Sequence, residues 1–161
     1  MMSFDIDVDT GNVSIDGKSL RNEEMKELDF TSSAFYNNLS GKGLIKKLIP
    51  HHYVINEISW GKEAFELIIR PQCFDNFPFL LQFLGKDWEY FHCLDNWDKK
   101  TNISMLDRQV VVMSNWLTEN ISLPSDVEVI ENGNRWNFSW GRISASYETK
   151  SFNCGIYISY L

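Results

Sequence analysis

Residues 5 to 12, with the sequence DIDVDTGN, place three aspartates at alternate positions and follow them with a glycine. Carboxylates in this pattern are typical of the first half of a calcium-binding loop. Such a loop takes glycine at its sixth position and a bidentate glutamate at its twelfth, where this chain has Thr10 and Asp16. Ile6 and Val8 alternate with the aspartates, as in a strand with one buried face. The stretch therefore predicts an acidic β-hairpin and no metal site.

The histidines and cysteines do not have the spacing of a metal centre. His51 and His52 are adjacent in a predicted strand, so their side chains point to opposite faces. His92 and Cys93 follow forty residues later as an isolated pair. Because a zinc site needs three or four converging ligands, these residues are interpreted as surface or partly buried side chains.

Catalytic motifs are also missing from the sequence. It contains no GxSxG, HExxH, phosphate-binding or dinucleotide-binding motif. Two pairs of acids, Glu63 with Glu66 and Asp95 with Asp98, could serve a glycosidase only if they faced each other across a cleft. Nothing in their spacing indicates a cleft, so we predict no enzyme, no catalytic residue and no cofactor.

The segment 85–100, GKDWEYFHCLDNWDKK, mixes aromatic and acidic side chains. Aromatic anchors among acids are typical of a binding hot spot for a basic partner. Two alternatives stay open, namely that the rings belong to the core or that Trp88 and Trp97 form a stacking platform for a carbohydrate. The predicted partner-binding residues lie in this segment and on the hairpin: Trp88, Glu89, Tyr90, Asp95, Trp97, Asp98, Asp5, Asp7 and Asp16.

The elements that must position these residues are those of one domain, residues 1–161. The formal net charge is −7, and residues 1–30 alone contain eight acids and three bases. This balance disfavours nucleic acid and anionic membranes as partners. The three cysteines lack CxxC spacing and no signal peptide is visible, which favours a cytoplasmic location.

Periodicity predicts the main elements. The N-terminal hairpin is followed by a helix over 22–39, which Thr31 to Ser33 can divide into two pieces. Strands are expected over 51–60, 63–70 and 77–84, the last apolar on both faces and therefore central. A helix over 103–121 should bury one face, and closing strands follow. The expected inward residues of this helix are Leu106, Val110, Met113 and Leu117. The fold class is α+β, a mostly antiparallel sheet of about six to seven strands with one or two helices packed on it.

Two stretches together resemble a group of small bacterial immunity proteins of contact-dependent growth inhibition and polymorphic toxin systems. They are FDIDVDTGNVSIDGKSL near the N-terminus and WGRISASYETKSFNCGIYISYL at the C-terminus. Trp116-Leu117 matches the end of a helix in that group. The closing turn is matched by Trp140-Gly141-Arg142-Ile143, Tyr147 and Lys150-Ser151.

The resemblance implies an immunity protein that binds and neutralises the toxic C-terminal domain of a cognate effector, stoichiometrically and without chemistry. The acidic balance suits a basic toxin such as a nuclease, because opposite charge speeds association. Self-association is left open. The alternative is a small cytoplasmic enzyme or a carbohydrate-binding module with an acidic, tryptophan-containing site.

Overall fold

Strands make up most of the regular structure in the computed structural model, which describes residues 1–20, 22–74 and 77–161. The strands are β1 (Met2–Ile6), β2 (Val13–Ile15), β3 (Lys18–Leu20), β4 (Lys46–Ile49), β5 (His52–Trp60), β6 (Glu63–Arg70), β7 (Leu80–Gly85), β8 (Glu128–Ile130), β9 (Gly133–Phe138), β10 (Gly141–Tyr147) and β11 (Cys154–Tyr160). The α-helices are α1 (Glu27–Thr31), α2 (Ala34–Gly41), α3 (Trp97–Lys100) and α4 (Ile103–Asn120), with 3-10 turns at Asn22–Glu24 and Phe91–Cys93.

All eleven strands form one open sheet. Its order is β3-β2-β1-β5-β6-β7-β11-β10-β9-β8, and β4 pairs with β5 off this path. Among the eleven strands of the described residues, only the β1–β5 pairing is parallel. It places Phe4 opposite Trp60 in the second half of β5, while β4 pairs with the first half. The apolar strand β7 lies between β6 and β11, where both of its neighbours cover its edges, as its sequence predicted.

The prediction of six to seven strands and one or two helices is wrong, because the described residues form eleven strands and four α-helices. The strands that were missed are β3, β4 and β8, which have three or four residues each. Their side chains are mostly exposed. A strand this short and this exposed does not show an alternation of apolar and polar residues in its sequence. These segments are strands because they pair with neighbouring strands.

The predicted helix over 22–39 begins only at Glu27, after a 3-10 turn, and is divided at Ser33. The Ser33 hydroxyl accepts a hydrogen bond from the Tyr36 N–H at 3.1 Å and donates one to the Phe30 carbonyl at 2.6 Å. It therefore caps the start of α2 and closes the end of α1. The Ser33 hydroxyl makes both hydrogen bonds because the chain changes direction between α1 and α2. Two short helices therefore form in place of one long helix.

One face of the sheet, here called the core face, carries the helices and the hydrophobic core. The long helix α4 packs on β9, β10 and β11 and begins at Asn102, whose side chain accepts a hydrogen bond from the Met105 N–H. The four residues predicted to point inward from this helix are buried: Leu106, Val110, Met113 and Leu117. The 3.6-residue period of the sequence thus identified the packed side of α4.

The N-terminal hairpin folds over the core face and reaches the last strands. The indole N–H of Trp140 donates to the Val8 carbonyl at 2.8 Å, and the Tyr160 hydroxyl donates to the Gly11 carbonyl at 2.8 Å. The Phe4 ring also lies 4.8 Å from that of Phe83 in β7, centroid to centroid. The first and last segments of the chain are therefore joined directly.

Tyrosine ionisation should destabilise the protein at high pH. Burial, with help from the Glu27 carboxylate, raises the pKa of Tyr53 to about 12, and a hydrogen bond to Asp107 is the main cause that raises the pKa of Tyr147 to about 12. Burial is also the main cause of a raised pKa at three further tyrosines: Tyr90, Tyr157 and Tyr160. Each of these phenols holds its proton more tightly when folded than in the unfolded chain, where the pKa is about 10.

The free energy of unfolding should accordingly be at its full value below pH 10 and fall as the pH rises from about 10 towards 12. Denaturant titrations at a series of pH values measure this slope, and phenolate absorbance follows the ionisation. The Tyr147→Phe variant removes one late-titrating phenol, so its slope should be shallower than that of the unmodified chain. If the free energy of unfolding stayed constant up to pH 11.5, these phenols would have the same pKa in the folded protein as in the unfolded chain, and the prediction would be wrong.

Candidate partner-binding surface

Trp88 anchors the segment that connects β7 to α4. Its ring packs edge-on against Phe65, with centroids 5.3 Å apart, and lies 6.3 Å from that of Trp116. The space for this ring exists because residue 85 is glycine, where a Cβ would lie 2.9 Å from Cε2 of Trp88. The ring is half-buried and contributes to packing under α4.

Tyr90 ties the same segment to two other elements. Its backbone N–H donates to Oε1 of Gln109 in α4 at 3.1 Å, and its hydroxyl donates to the Phe152 carbonyl at 2.8 Å. The side chain is 4% exposed. Trp88 and Tyr90 thus pack into the core, which was one of the two alternatives to a binding surface. The exposed surface of the segment comes from its other residues.

Trp97, with the acids on either side of it, forms the exposed part of the segment. The Trp97 side chain is 61% exposed, and Asp95 and Asp98 are exposed as well. The Asn96 side chain caps α3 by accepting a hydrogen bond from the Lys99 N–H, and the Trp97 ring rests edge-on against Phe152 at 5.6 Å. A short capped helix therefore presents the ring in a fixed position.

The charge of this segment is close to balanced. Residues 86–100 contain four acids and three lysines. Glu89 pairs with Arg108 of α4 at 3.2 Å, and the Lys100 ammonium lies 5.9 Å from the centre of the Trp97 ring. The segment thus offers an aromatic anchor with charges of both signs, so its acids alone do not create a negative field.

The hairpin offers a more uniformly acidic surface. Asp5, Asp7 and Asp16 are all exposed. A carboxylate oxygen of Asp7 accepts a hydrogen bond from the Asp9 N–H at 2.9 Å, and one of Asp16 accepts from the Ser3 N–H at 2.8 Å. Two of these side chains therefore also stabilise turns of the hairpin.

The tip of the hairpin and the Trp97 side chain lie at opposite ends of the β10–β11 pair. The hairpin meets Trp140 and Tyr160 at one end, whereas Trp97 rests on Phe152 at the other. Strands of seven residues separate these ends by about 20 Å. The structure therefore places Asp95, Trp97 and Asp98 together at the end of this pair opposite the tip of the hairpin.

Sequence reasoning missed a cluster formed by Glu27, His51 and Tyr53. The Glu27 carboxylate contacts Nδ1 of His51 at 2.7 Å and accepts a hydrogen bond from the Tyr53 hydroxyl at 3.2 Å. The glutamate lies 24 residues from the histidine, so no local spacing could reveal the contact. The arrangement orients the imidazole, but no serine or cysteine bonds to it in the part of the chain that the structure describes.

One of the two acid pairs considered for a glycosidase, Glu63 with Glu66, does not converge. Glu63 and Glu66 are three residues apart in β6 and therefore point to opposite faces of the sheet. Within residues 1–20, 22–74 and 77–161, no three His, Cys, Asp or Glu side chains come close enough to hold a metal ion.

No protein-family model matches the chain, and neither the curated proteins nor the solved structures contain a significant match. None of the helices in the described residues combines the length and apolar character needed to cross a bilayer.

Proposed function

We propose that this protein is an immunity protein that acts in the cytoplasm and neutralises a toxin domain by binding it stoichiometrically. The proposal starts from the resemblance of the two ends of the chain to immunity proteins. The structural observation that supports the proposal is the exposure of Trp97, which has the exposed acids Asp95 and Asp98 close to it in the sequence. An exposed aromatic side chain, here in contact with the Phe152 ring, is the kind of residue that dominates binding energy at protein interfaces.

The exposure of Trp97 distinguishes it from the other aromatic residues of its segment. Trp88 and Tyr90 fasten the segment to the core, so Trp97 can be fixed without being buried. Little conformational entropy is then lost when a partner covers it. This combination favours a preorganised protein-binding site over a flexible loop.

The net charge of the whole chain indicates which kind of partner it attracts. The chain has a net charge of −7, so its long-range field attracts a positively charged toxin domain and raises the association rate. This attraction is screened over a Debye length of about 8–10 Å at physiological salt. Because the hairpin and the Trp97 segment lie far apart, they are two separate candidates for the region that faces the toxin.

Charge reversal should identify that region. We expect Asp95→Lys with Asp98→Lys to weaken toxin binding about tenfold or more, because two attractive contacts become repulsive. Asp5→Lys with Asp7→Lys should lower mainly the association rate. Affinity and association rate are measured by surface plasmon resonance against the toxin domain encoded next to this protein's gene, at low and at physiological salt.

The matched control is Glu119→Lys with Asp126→Lys. Both side chains are exposed, and the change in net charge is the same. Glu128 is less suitable, because its carboxylate is held by Arg135 at 2.7 Å and by Asn137. If the control weakens binding as much as the Asp95/Asp98 pair does, net charge alone governs the association and the Trp97 surface is not the interface.

Stoichiometry separates an inhibitor from an enzyme. Protection of cells should fail once toxin outnumbers this protein, and an unrelated toxin should not be neutralised. Protection by a small fraction of an equivalent would contradict the binding model and favour the enzyme alternative.

A further inference from the structure

The face of the sheet opposite the core face, here called the open face, contains a cavity of about 420 Å³. It is lined by residues of β5, β6, β7, β10 and β11 and of the connection between β10 and β11, and none of the described helices contributes a residue. A volume in this range is typical of pockets for small molecules. The cavity lies on the side of the sheet away from α4.

Strand register places two arginines at the ends of one row across this face. Arg70 of β6 pairs with Leu80, Leu80 with Ser159, and Ser159 with Arg142 of β10. Three strand spacings separate the two arginine Cα atoms by about 14 Å. Both side chains line the cavity, so two guanidinium groups border the same space from opposite sides.

A second row supplies uncharged donors. Gln82 pairs with Tyr157 and Tyr157 with Ser144. The Gln82 amide donates to the Tyr157 hydroxyl oxygen at 3.3 Å, which leaves the phenolic proton of Tyr157 available as a donor. Burial raises the pKa of Tyr157, so this proton stays in place at neutral pH.

The Arg70 guanidinium has an unused hydrogen-bond donor. Its Nε is buried and has no hydrogen-bond partner among the described residues. The group is oriented by the Phe77 ring, whose centre lies 5.5 Å from Cζ of Arg70. A buried donor without an acceptor is costly, and the Nε edge of arginine is one of the edges that bind a carboxylate or phosphate bidentately.

The charge of the cavity is opposite to that of the protein. His52 joins the two arginines in its lining, and the acid there is Glu148. The Glu148 carboxylate is exposed and accepts a hydrogen bond from the Ser151 hydroxyl, and it forms no ion pair with either arginine in the part of the chain that the structure describes. A basic pocket in a chain of net charge −7 is suited to a negatively charged ligand.

We propose that the open face is a binding site for a small oxyanion, a molecule that presents a carboxylate or a phosphate to Arg70, Arg142 and Tyr157. The Arg70 and Arg142 guanidinium groups bind the oxyanion from opposite sides of the cavity, and the Tyr157 hydroxyl donates to one oxygen. The site is independent of the proposed toxin-binding surface, which involves none of these residues.

The test is calorimetric titration of the full chain with sodium phosphate and, separately, with sodium succinate at constant ionic strength. We expect one of the two to bind with a Kd of about 1 mM or tighter. Stronger binding of phosphate assigns the ligand to the phosphates, and stronger binding of succinate assigns it to the carboxylates. Amide NMR shifts should move at Ser144 and Tyr157.

Arg142→Gln should weaken binding at least tenfold, and Tyr157→Phe should weaken it several-fold while keeping the ring. The control is Arg108→Gln, which makes the same charge change at an exposed position that pairs with Glu89; it should bind like the unmodified protein. The proposal is overturned if neither anion binds, or if folded Arg142→Gln binds as tightly as the control.

Discussion

Replacing Leu117 by alanine is expected to lower the free energy of unfolding by about 2–5 kcal/mol. The side chain is 0% exposed and lies on the side of α4 that packs against the sheet. Truncation removes its apolar contacts and leaves a cavity that the surrounding strands can fill only in part. Chemical denaturation followed by far-UV circular dichroism measures the change.

Val111 in the same helix provides the matched control. Its side chain is 57% exposed, so Val111→Ala should change the free energy of unfolding by less than about 0.5 kcal/mol. Equal losses in the two variants would mean that α4 does not bury the face described above. The comparison thus tests the docking of α4 and not merely the presence of a helix.

Replacing Gly11 by alanine should destabilise the protein by about 2–5 kcal/mol, as the sum of two effects. The backbone has φ +79°, a left-handed conformation that costs a residue with a Cβ about 1–2 kcal/mol. A Cβ would also lie 2.6 Å from Cε3 of Trp140, and such overpacking costs about 1–3 kcal/mol. Thermal and denaturant unfolding measure the total.

Gly17 separates the two effects. It has φ +81°, and a Cβ there would meet nothing within 4 Å. Gly17→Ala should therefore show only the backbone cost of about 1–2 kcal/mol. If Gly11→Ala were no worse than Gly17→Ala, the hairpin would have to move away from Trp140 without loss, and the contact would not hold the two ends of the chain together.

The contact between Gly11 and Trp140 also bears on the resemblance to immunity proteins. Both residues belong to the two quoted stretches, which lie more than a hundred residues apart and meet in space through hydrogen bonds from Trp140 and Tyr160. These parts of the two stretches therefore have a structural role, because they connect the N-terminal hairpin to the C-terminal strands. Because a fold can serve many functions, the toxin-binding proposal depends on the surface around Trp97.

Sequence periodicity alone determined the elements whose pattern is local. The alternation of Ile6 with its acidic neighbours identified the hairpin, and the spacing of Leu106, Val110, Met113 and Leu117 identified both the helix and its buried side. Each pattern reports which side of one segment avoids water, and that information does not depend on the rest of the chain.

Tertiary structure alone decided everything that depends on pairing between segments of the chain. The short strands β3, β4 and β8 exist because neighbouring strands complete their hydrogen bonds. Tyr90 is buried, because Gln109 accepts a hydrogen bond from its backbone N–H and the Phe152 carbonyl accepts one from its hydroxyl. Trp97 is exposed, and its ring contacts that of Phe152 at one edge. Arg70 and Arg142 border one cavity because strand register aligns residues 72 positions apart. A single chain's residue pattern does not contain that register, since it is set by which strands pair and which side chains pack between them.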